Sequence, residues 1–208
     1  MSAIELRQTS VRTEVAIPLQ SNVTPDFITF NGLPHEAEHF ALRFTGVQPG
    51  IPPLVRIHSE CITGDLFRSL RCDCGAQLQE AITLLKRAGG FLLYLRQEGR
   101  GVGLYNKLDA YRLQEQGLDT YAANRRLSLP EDARDYACAA NMLKALNVRR
   151  VRLLSNSPSK AEQLMRNGIE IVEIVPTGTF VNQHNREYLS AKVEIMGHGL
   201  SLARHDGR

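Results

Sequence analysis

The hydrophobic periodicity changes near residue 75, and this change limits the folds that the chain can adopt. Between residues 11 and 57, short apolar runs at 27–30, 40–44 and 54–57 are separated by turns, and the first strand-like run alternates apolar with polar residues. Alternation with a period of two is typical of a half-buried strand. We therefore expect an antiparallel β region in this part of the chain.

After residue 75, segments with helical and strand-like patterns alternate. Helices are predicted over 75–88, 104–116, 135–146, 158–167 and 183–196, and strands over 91–95, 151–154 and 169–175. Such alternation favours a partly parallel sheet covered by helices. We expect an α/β (α+β) fold with a mixed sheet, in which residues 1–10 form a flexible tail and residues 11–208 form a single catalytic domain.

Bulk properties exclude several classes of protein. The net charge of +3 is too small, and its basic residues too dispersed, to indicate nucleic-acid binding. No apolar run approaches the roughly 20 residues of a membrane helix, and the polar N-terminus has no apolar signal segment. The expectation is a cytoplasmic protein with neither a nucleic-acid nor a membrane partner.

The cysteines indicate a metal site. Cys61, Cys72 and Cys74 lie close together in sequence, and in a chain without a signal peptide this clustering favours metal ligation over disulfides. Thiolates are strong zinc ligands, and Arg68 and Arg71 are near enough in sequence to offset their charge. Cys138 falls on the apolar stripe of a predicted helix, where a small buried side chain is expected.

The type of metal site stays open at this point. A structural zinc has four protein ligands, and His58 could complete a Cys₃His set, whereas a catalytic zinc keeps one position for water. Glu60 and Asp65 could orient that water, or they could be ordinary solvated carboxylates.

Two segments are suited to a polyanion. A Gly-rich stretch at 96–103 follows a strand and precedes a helix, and Arg100 adds charge to it. The second segment has Ser157 at a helix N-cap position, Pro158 in the first turn and Lys160 beside the exposed helix N–H groups. Each pattern also occurs in plain connectors. Asp132 and Arg134 lie between the two segments, at a predicted helix start.

Together these pieces resemble the GTP cyclohydrolase II family. The matching segments are 56–65 (RIHSECITGD), 71–75 (RCDCG), 96–104 (RQEGRGVGL), 106–107, 110–111, 119–120, 123–124, 132–136 (DARDY) and 196–198. They occur in the family's order, and the cysteine spacing combined with RQEGR is highly specific.

The resemblance implies a reaction. In that family, zinc activates the water that attacks C8 of guanine, the imidazole ring opens, and formate and pyrophosphate leave, with Mg²⁺ at the phosphates. The product is 2,5-diamino-6-ribosylamino-4(3H)-pyrimidinone 5′-phosphate, in the first step of riboflavin biosynthesis. The resemblance also implies GTP as the small-molecule substrate, one catalytic zinc per chain and a homodimer.

The family's functional residues transfer by motif. Zinc ligands would be Cys61, Cys72 and Cys74, which favours the open catalytic site over the closed one. Arg134 matches the family's arginine that is assigned as the nucleophile at the α-phosphorus, and Asp132 matches the proton acceptor beside it. Tyr111 matches a tyrosine that lies near the reacting ring. An arginine nucleophile is chemically awkward, and an electrostatic clamp would demand less. Residues matched to GTP binding are Arg56, Ile57, His58, Ser59, Glu60, Gln77, Glu98, Gly99, Arg100, Thr120, Ser155 and Lys160. Gln77 and Glu98 would pair with a purine edge.

Departures from the family pattern leave two alternatives. The chain differs around residues 122–128 and 155–157, which allows a relative that acts on GTP or a related nucleotide in a secondary pathway and stops at the formamide. The other alternative is a non-catalytic nucleotide sensor with a structural zinc.

Overall fold

A single seven-stranded sheet runs through the computed structural model, which describes residues 8–33, 38–130, 132–186 and 189. The strands are β1 (Ser10–Ala16), β2 (Asp26–Asn31), β3 (Phe40–Phe44), β4 (Leu54–Ser59), β5 (Gly90–Leu95), β6 (Arg150–Leu154) and β7 (Glu170–Val175). The helices are α1 (Ile62–Asp65), α2 (Cys74–Ala88), α3 (Leu104–Glu115), α4 (Thr120–Arg126), α5 (Ala137–Ala145) and α6 (Pro158–Arg166), with a 3₁₀-helix over Glu98–Gly101.

The sheet is mixed, as the sequence predicts. Its order is β1-β2-β3-β5-β4-β6-β7. The pairs from β1 to β5 are antiparallel, and the pairs from β5 through β4 and β6 to β7 are parallel. The antiparallel half is therefore built from the first part of the chain, and the parallel half from strands that alternate with helices.

The assignment of 54–57 to the antiparallel region is wrong. This segment is β4, which pairs in parallel with both β5 and β6 near the middle of the sheet. Its residues from Leu54 to His58 are all buried, on both faces of the sheet. A strand covered on both faces has no alternation of polar and apolar residues, so its partner orientation cannot be read from periodicity.

The predicted helices over 75–88, 104–116, 135–146 and 158–167 correspond to α2, α3, α5 and α6. Helices α1 and α4 and the 3₁₀-helix lie in segments with no helical prediction. Most of the helix predicted over 183–196 and most of the tail predicted over 1–10 lie outside the described residues. Within the described ranges, no helix is both long enough and apolar enough to span a membrane.

The two faces of the sheet pack against different helices. One apolar cluster joins alternate residues of β5, such as Leu93, to Met142 and Leu143 of α5 and Leu164 of α6. The other joins the intervening Leu92 to residues of α2. The parallel strands β4, β5 and β6 therefore end at one edge, where they lead into the segments that carry the cysteines, the Gly-rich turn and α6. Ligands bind at this edge in many open α/β sheets.

Candidate active site

Three cysteine sulfurs meet where β4 ends and α2 begins. Cys61 is the N-cap residue of α1, and Cys74 is the first residue of α2. The Sγ atoms of Cys61, Cys72 and Cys74 all lie within 4.8 Å of one another, and those of Cys61 and Cys72 are 3.7 Å apart. A tetrahedral zinc with Zn–S bonds of about 2.3 Å would separate its sulfurs by about 3.8 Å. The arrangement therefore fits a metal ion.

Cys61 is the thiol that ionises most readily. Hydrogen bonds from Cys72 and Cys74, together with the charge of Lys107, hold the pKa of Cys61 far below its usual range, although burial acts in the opposite direction. The same bond to Cys61 raises the pKa of Cys72 to about 11, because it keeps Cys72 as the donor. A bound cation would favour the thiolate form of all three.

His58 lies outside the sulfur cluster. Its Nε2 atom is 3.1 Å from both carboxylate oxygens of Asp65, and among the described residues no histidine or carboxylate joins the three sulfurs. Burial lowers the pKa of His58 despite this carboxylate, so the imidazole is neutral. The geometry does not support the Cys₃His alternative, because neither ring nitrogen of His58 lies with the three sulfurs and Nε2 is bound to Asp65.

Asp65 is not available to orient a water molecule. Besides His58, its carboxylate accepts hydrogen bonds from the Cys61 N–H group at 3.0 Å and from the Tyr94 hydroxyl at 2.8 Å. Asp65 therefore supports the backbone that carries Cys61. Glu60, the other carboxylate considered for this role, lines the neighbouring pocket and pairs with Arg96 at 2.8 Å.

Lys107 of α3 is the cation in contact with the cluster. Its Nζ atom lies 3.2 Å from Sγ of Cys61 and 2.9 Å from Oε1 of Glu98. Burial disfavours the ammonium form, but Cys61 and Glu98 raise the pKa of Lys107 above its usual range. Arg71, expected to offset the thiolate charge, instead lies 4.4 Å from the ring centroid of Tyr111 and pairs with the exposed Glu115.

One face of α3 lines a pocket beside the sulfurs. Lys107, Ala110, Tyr111 and Gln114 all face this pocket, and they are spaced as neighbours on one side of a helix. Of these four residues, the sequence patterns predict only Tyr111 as a site residue. The helical spacing of Lys107 from Tyr111 was a signal that could have identified the lysine as well.

The pocket brings together most of the predicted site residues. It has an empty volume of about 700 Å³, which includes space open to solvent. Its predicted lining residues are Ser59, Glu60, Cys61, Cys72, Cys74, Glu98, Gly99, Arg100, Tyr111 and Arg134. Residues that the sequence did not select include Gln97, Val102, Gln114 and the buried Asn124. The sulfurs and two arginines thus face the same space.

The Gly-rich turn packs directly on the segment that carries Arg134. The Ala133 N–H group donates to the Arg100 carbonyl at 2.9 Å. Gly101 has a φ of +89°, and a Cβ built there would lie 3.0 Å from the backbone carbon of Ala133. Glycine therefore suits the left-handed backbone here, and it avoids a tight contact with Ala133.

Asp132 and Arg134 form a two-pronged ion pair. Nε of Arg134 donates to Oδ1 of Asp132 at 2.8 Å, and a terminal guanidinium nitrogen donates to Oδ2. Burial alone would raise the pKa of Asp132, but the hydrogen bonds and charge of Arg134 lower it. The pair therefore holds Arg134 as a fully charged guanidinium at the rim of the pocket.

Arg56 and Gln77 are joined to each other and to the cysteine bend. Arg56 donates to Oε1 of Gln77 at 2.9 Å and to the Leu154 carbonyl at 3.2 Å. The Gln77 amide nitrogen donates to Asp73 at 2.8 Å, and Asp73 lies between two of the cysteines. Neither Arg56 nor Gln77 lines the pocket, so contact with a purine would require these bonds to be exchanged.

The residues predicted near α6 are also buried. Nζ of Lys160 donates to the Ile57 carbonyl at 2.8 Å, and the Ile57 side chain lies in the core. The Ser155 hydroxyl accepts the Ser157 N–H group at 3.0 Å. Ser157 stands at the N-cap of α6 as predicted, but its side chain makes no capping hydrogen bond. Thr120 lies in α4, and its side chain is outside what the structure describes.

Glu98 is largely committed to the protein itself. Its carboxylate accepts from the Ile62 N–H group at 2.6 Å, from the Gly99 N–H group at 2.7 Å and from Lys107. The predicted pairing of Glu98 with a purine edge would have to use the little acceptor capacity that remains.

Comparisons with known proteins agree over most of the chain. A family model described as GTP cyclohydrolase II matches residues 10–176. A GTP cyclohydrolase-2 from Vibrio cholerae is 48% identical over 198 residues, which cover 95% of this chain and 100% of the relative. Another from Psychromonas ingrahamii is 47% identical over 195 residues, covering 92% and 98%. A riboflavin biosynthesis protein RibBA from Bacillus cytotoxicus is 48% identical over 201 residues, covering 94% of this chain and 50% of that protein.

The sulfur cluster predicts how metal content responds to substitution. We expect the Cys72→Ser variant to bind much less transition metal than the wild type while keeping its native circular dichroism, because a metal held by the three sulfurs would lie beside the apolar clusters and not within them. Cys138→Ala is the matched control, since Cys138 is a buried core residue of α5. Its metal content, measured by plasma mass spectrometry, should stay at the wild-type level. Unfolding of Cys72→Ser without metal would instead indicate a structural metal.

Proposed function

The chain belongs to the GTP cyclohydrolase II family, and on that premise we propose that it hydrolyses GTP in a zinc-dependent reaction. The imidazole ring of the guanine opens, and formate and pyrophosphate are released. The product is 2,5-diamino-6-ribosylamino-4(3H)-pyrimidinone 5′-phosphate, which would make this the first step of riboflavin biosynthesis.

One observation carries the proposal. The three cysteines of the sulfur cluster line the same pocket as Arg100 and Arg134, with Tyr111 on its α3 wall. A zinc ion with three protein ligands keeps a position for the water that hydrolysis needs, and arginines suit phosphate groups. A molecule that needs both at once carries a base at one end and phosphates at the other, which is the form of GTP.

At the base end, the chain supplies the ligands and a proton carrier. Zinc, when bound, supplies a Lewis acid and lowers the pKa of a water molecule to about 7. Cys61, Cys72 and Cys74 would hold it and leave one position open. Tyr111 would pass a proton to or from the reacting ring through its hydroxyl group. Arg71 over its aromatic face keeps the ring of Tyr111 in place.

At the phosphate end, we propose that Arg134 is an electrostatic clamp on the α-phosphate. A nucleophilic arginine must first lose a proton, but the paired carboxylate of Asp132 favours the charged guanidinium. Asp132 would orient that guanidinium and accept a proton from a second water molecule, which attacks the α-phosphorus as pyrophosphate leaves. Arg100 and Arg134 would share the phosphate charge with the Mg²⁺ that accompanies GTP.

The departures from the family pattern lie away from this pocket, which supports the complete reaction over one that stops at the formamide. Ala122, Ser128 and Ser155 do not line it, whereas Asn124, which the chain shares with the family, does. The Ser155 hydroxyl accepts a hydrogen bond from the Ser157 N–H group, within the turn that precedes α6.

The assembled protein is proposed to be a cytoplasmic homodimer that binds neither nucleic acid nor membranes. These properties follow from family membership together with the modest net charge of +3.

Incubation of the purified protein with GTP and Mg²⁺ tests the proposal. We expect formate and pyrophosphate in equal amounts, and removal of zinc by a chelator should abolish formate release. Each product is assayed separately, formate with a coupled dehydrogenase and pyrophosphate with a coupled phosphatase. Pyrophosphate without formate would reject the complete reaction, and the absence of both would reject the proposed function.

The packing of Gly101 on Ala133 provides a second test. The Gly101→Ala variant should displace the segment carrying Arg134 by a few tenths of an ångström. We expect the rate of pyrophosphate release to fall by about 3- to 10-fold, since a misplacement of about 1 Å costs about 100-fold. Gly103→Ala is the matched control: φ is +89° at Gly101 and +90° at Gly103, but a Cβ on Gly103 would meet nothing within 4 Å. Equal losses in the two variants would show that backbone strain, and not the contact, is responsible.

A further inference from the structure

Lys107 has a contact pattern that backbone support alone does not explain. Its Nζ atom lies 3.2 Å from Sγ of Cys61, 2.9 Å from Oγ1 of Thr63 and 2.9 Å from Oε1 of Glu98. The side chain is only 11% exposed. An ammonium has three N–H donors, and each has an acceptor here. One of these acceptors is a sulfur of the proposed metal site.

The position of the ammonium is fixed from both sides. Glu98 is held by the backbone N–H groups of Ile62 and Gly99, so the carboxylate that faces Lys107 is itself anchored. Ile62 follows Cys61 directly, and Thr63 is in the same first turn of α1. Lys107 thus ties the helix that lines the pocket to the short helix that presents the Cys61 sulfur.

The charges of the site call for such a cation. Three thiolates and one divalent zinc would carry a net charge of −1, which the ammonium of Lys107 offsets where it contacts Cys61, while the carboxylate of Glu98 holds that ammonium from the other side. Thiolate ligands also donate strongly to a metal, which weakens it as a Lewis acid. A hydrogen bond to a ligating sulfur withdraws part of that electron density and orients the sulfur, as outer partners of metal ligands commonly do.

We propose that Lys107 is a positioning residue that holds the Cys61 thiolate toward the metal and reduces electron donation by that sulfur. Glu98 assists by anchoring the ammonium, and its own contacts make it part of the same support. The inference rests on the proposed function, because it assumes that the three sulfurs bind a catalytic metal. It assigns Lys107 to the metal and not to the phosphates of the substrate.

Cobalt(II) is the probe that tests this role without substrate. Metal-free wild type, Lys107→Met and Lys107→Arg are titrated with Co²⁺, and the sulfur-to-cobalt charge-transfer absorption is recorded. Lys107→Met should bind Co²⁺ about 10- to 100-fold more weakly, because the Cys61 sulfur loses the contact that holds it toward the metal. Its charge-transfer band should move to longer wavelength, because a sulfur without its hydrogen bond gives up electron density more easily. Lys107→Arg keeps the charge and should recover part of both properties.

Lys86→Met is the matched control. Lys86 lies in the last turn of α2, at the opposite end of that helix from Cys74, and donates to the Ser21 carbonyl. The affinity of the Lys86→Met variant for Co²⁺ and the position of its charge-transfer band should match those of the wild type. If Lys107→Met does not fold by circular dichroism, Lys107→Gln takes its place, since it removes the charge but keeps a donor; it should show a smaller shift of the same sign.

An unchanged affinity together with an unchanged band in the folded, uncharged variant would overturn the assignment. Because no GTP is present in these titrations, that result would leave the proposed function standing. Conversely, a wild-type protein that binds Co²⁺ through thiolates but fails to release formate from GTP would reject the proposed function and leave the role of Lys107 intact.

Discussion

The convergence of three thiol groups on one point is the constraint on which the rest of the site depends. Thiolates repel one another, so Cys61, Cys72 and Cys74 can share a small space as anions only with a cation between them. The fold meets this demand at the edge where β4 ends and α2 starts. The Asp65 carboxylate accepts a hydrogen bond from the Cys61 N–H group, and Gln77 donates to Asp73, which lies between the other two cysteines in sequence.

The same edge of the sheet explains why the cysteines share a pocket with Arg100 and Arg134. Parallel strands end side by side, so the segment after β4 carries Cys61 and the segment after β5 carries the Gly-rich turn with Arg100. The Arg100 carbonyl of that turn accepts a hydrogen bond from the Ala133 N–H group, and this contact sets the position of the neighbouring Arg134. Helix α3 forms another wall of this pocket, because its inward face carries both Tyr111 and the Lys107 side chain that contacts the Cys61 sulfur. A family relationship over residues 10–176 is consistent with this whole unit acting together.

Much of this architecture could be predicted from the sequence, for identifiable reasons. Helices such as α2 and α6 have an apolar stripe, and the edge strand β1 alternates apolar with polar residues, so their periodicity is visible in the sequence. The orientation of β4 was not predictable, because a strand buried on both faces lacks alternation. The cysteine cluster could be predicted because its members are close in sequence. Contacts between distant segments could not be predicted, because only the folded sheet brings those segments together. Examples are the hydrogen bonds of Arg56 with Leu154 and of Lys160 with Ile57.

The coordination sphere of the metal tests the central claim most directly. X-ray absorption at the zinc edge of the purified protein would count the sulfur neighbours and identify the remaining ligand. We expect three sulfurs at about 2.3 Å and one oxygen from water. A fourth protein ligand in place of that oxygen, whether the imidazole of His58 or another sulfur, would contradict it, because such a zinc would have no open position for hydrolysis.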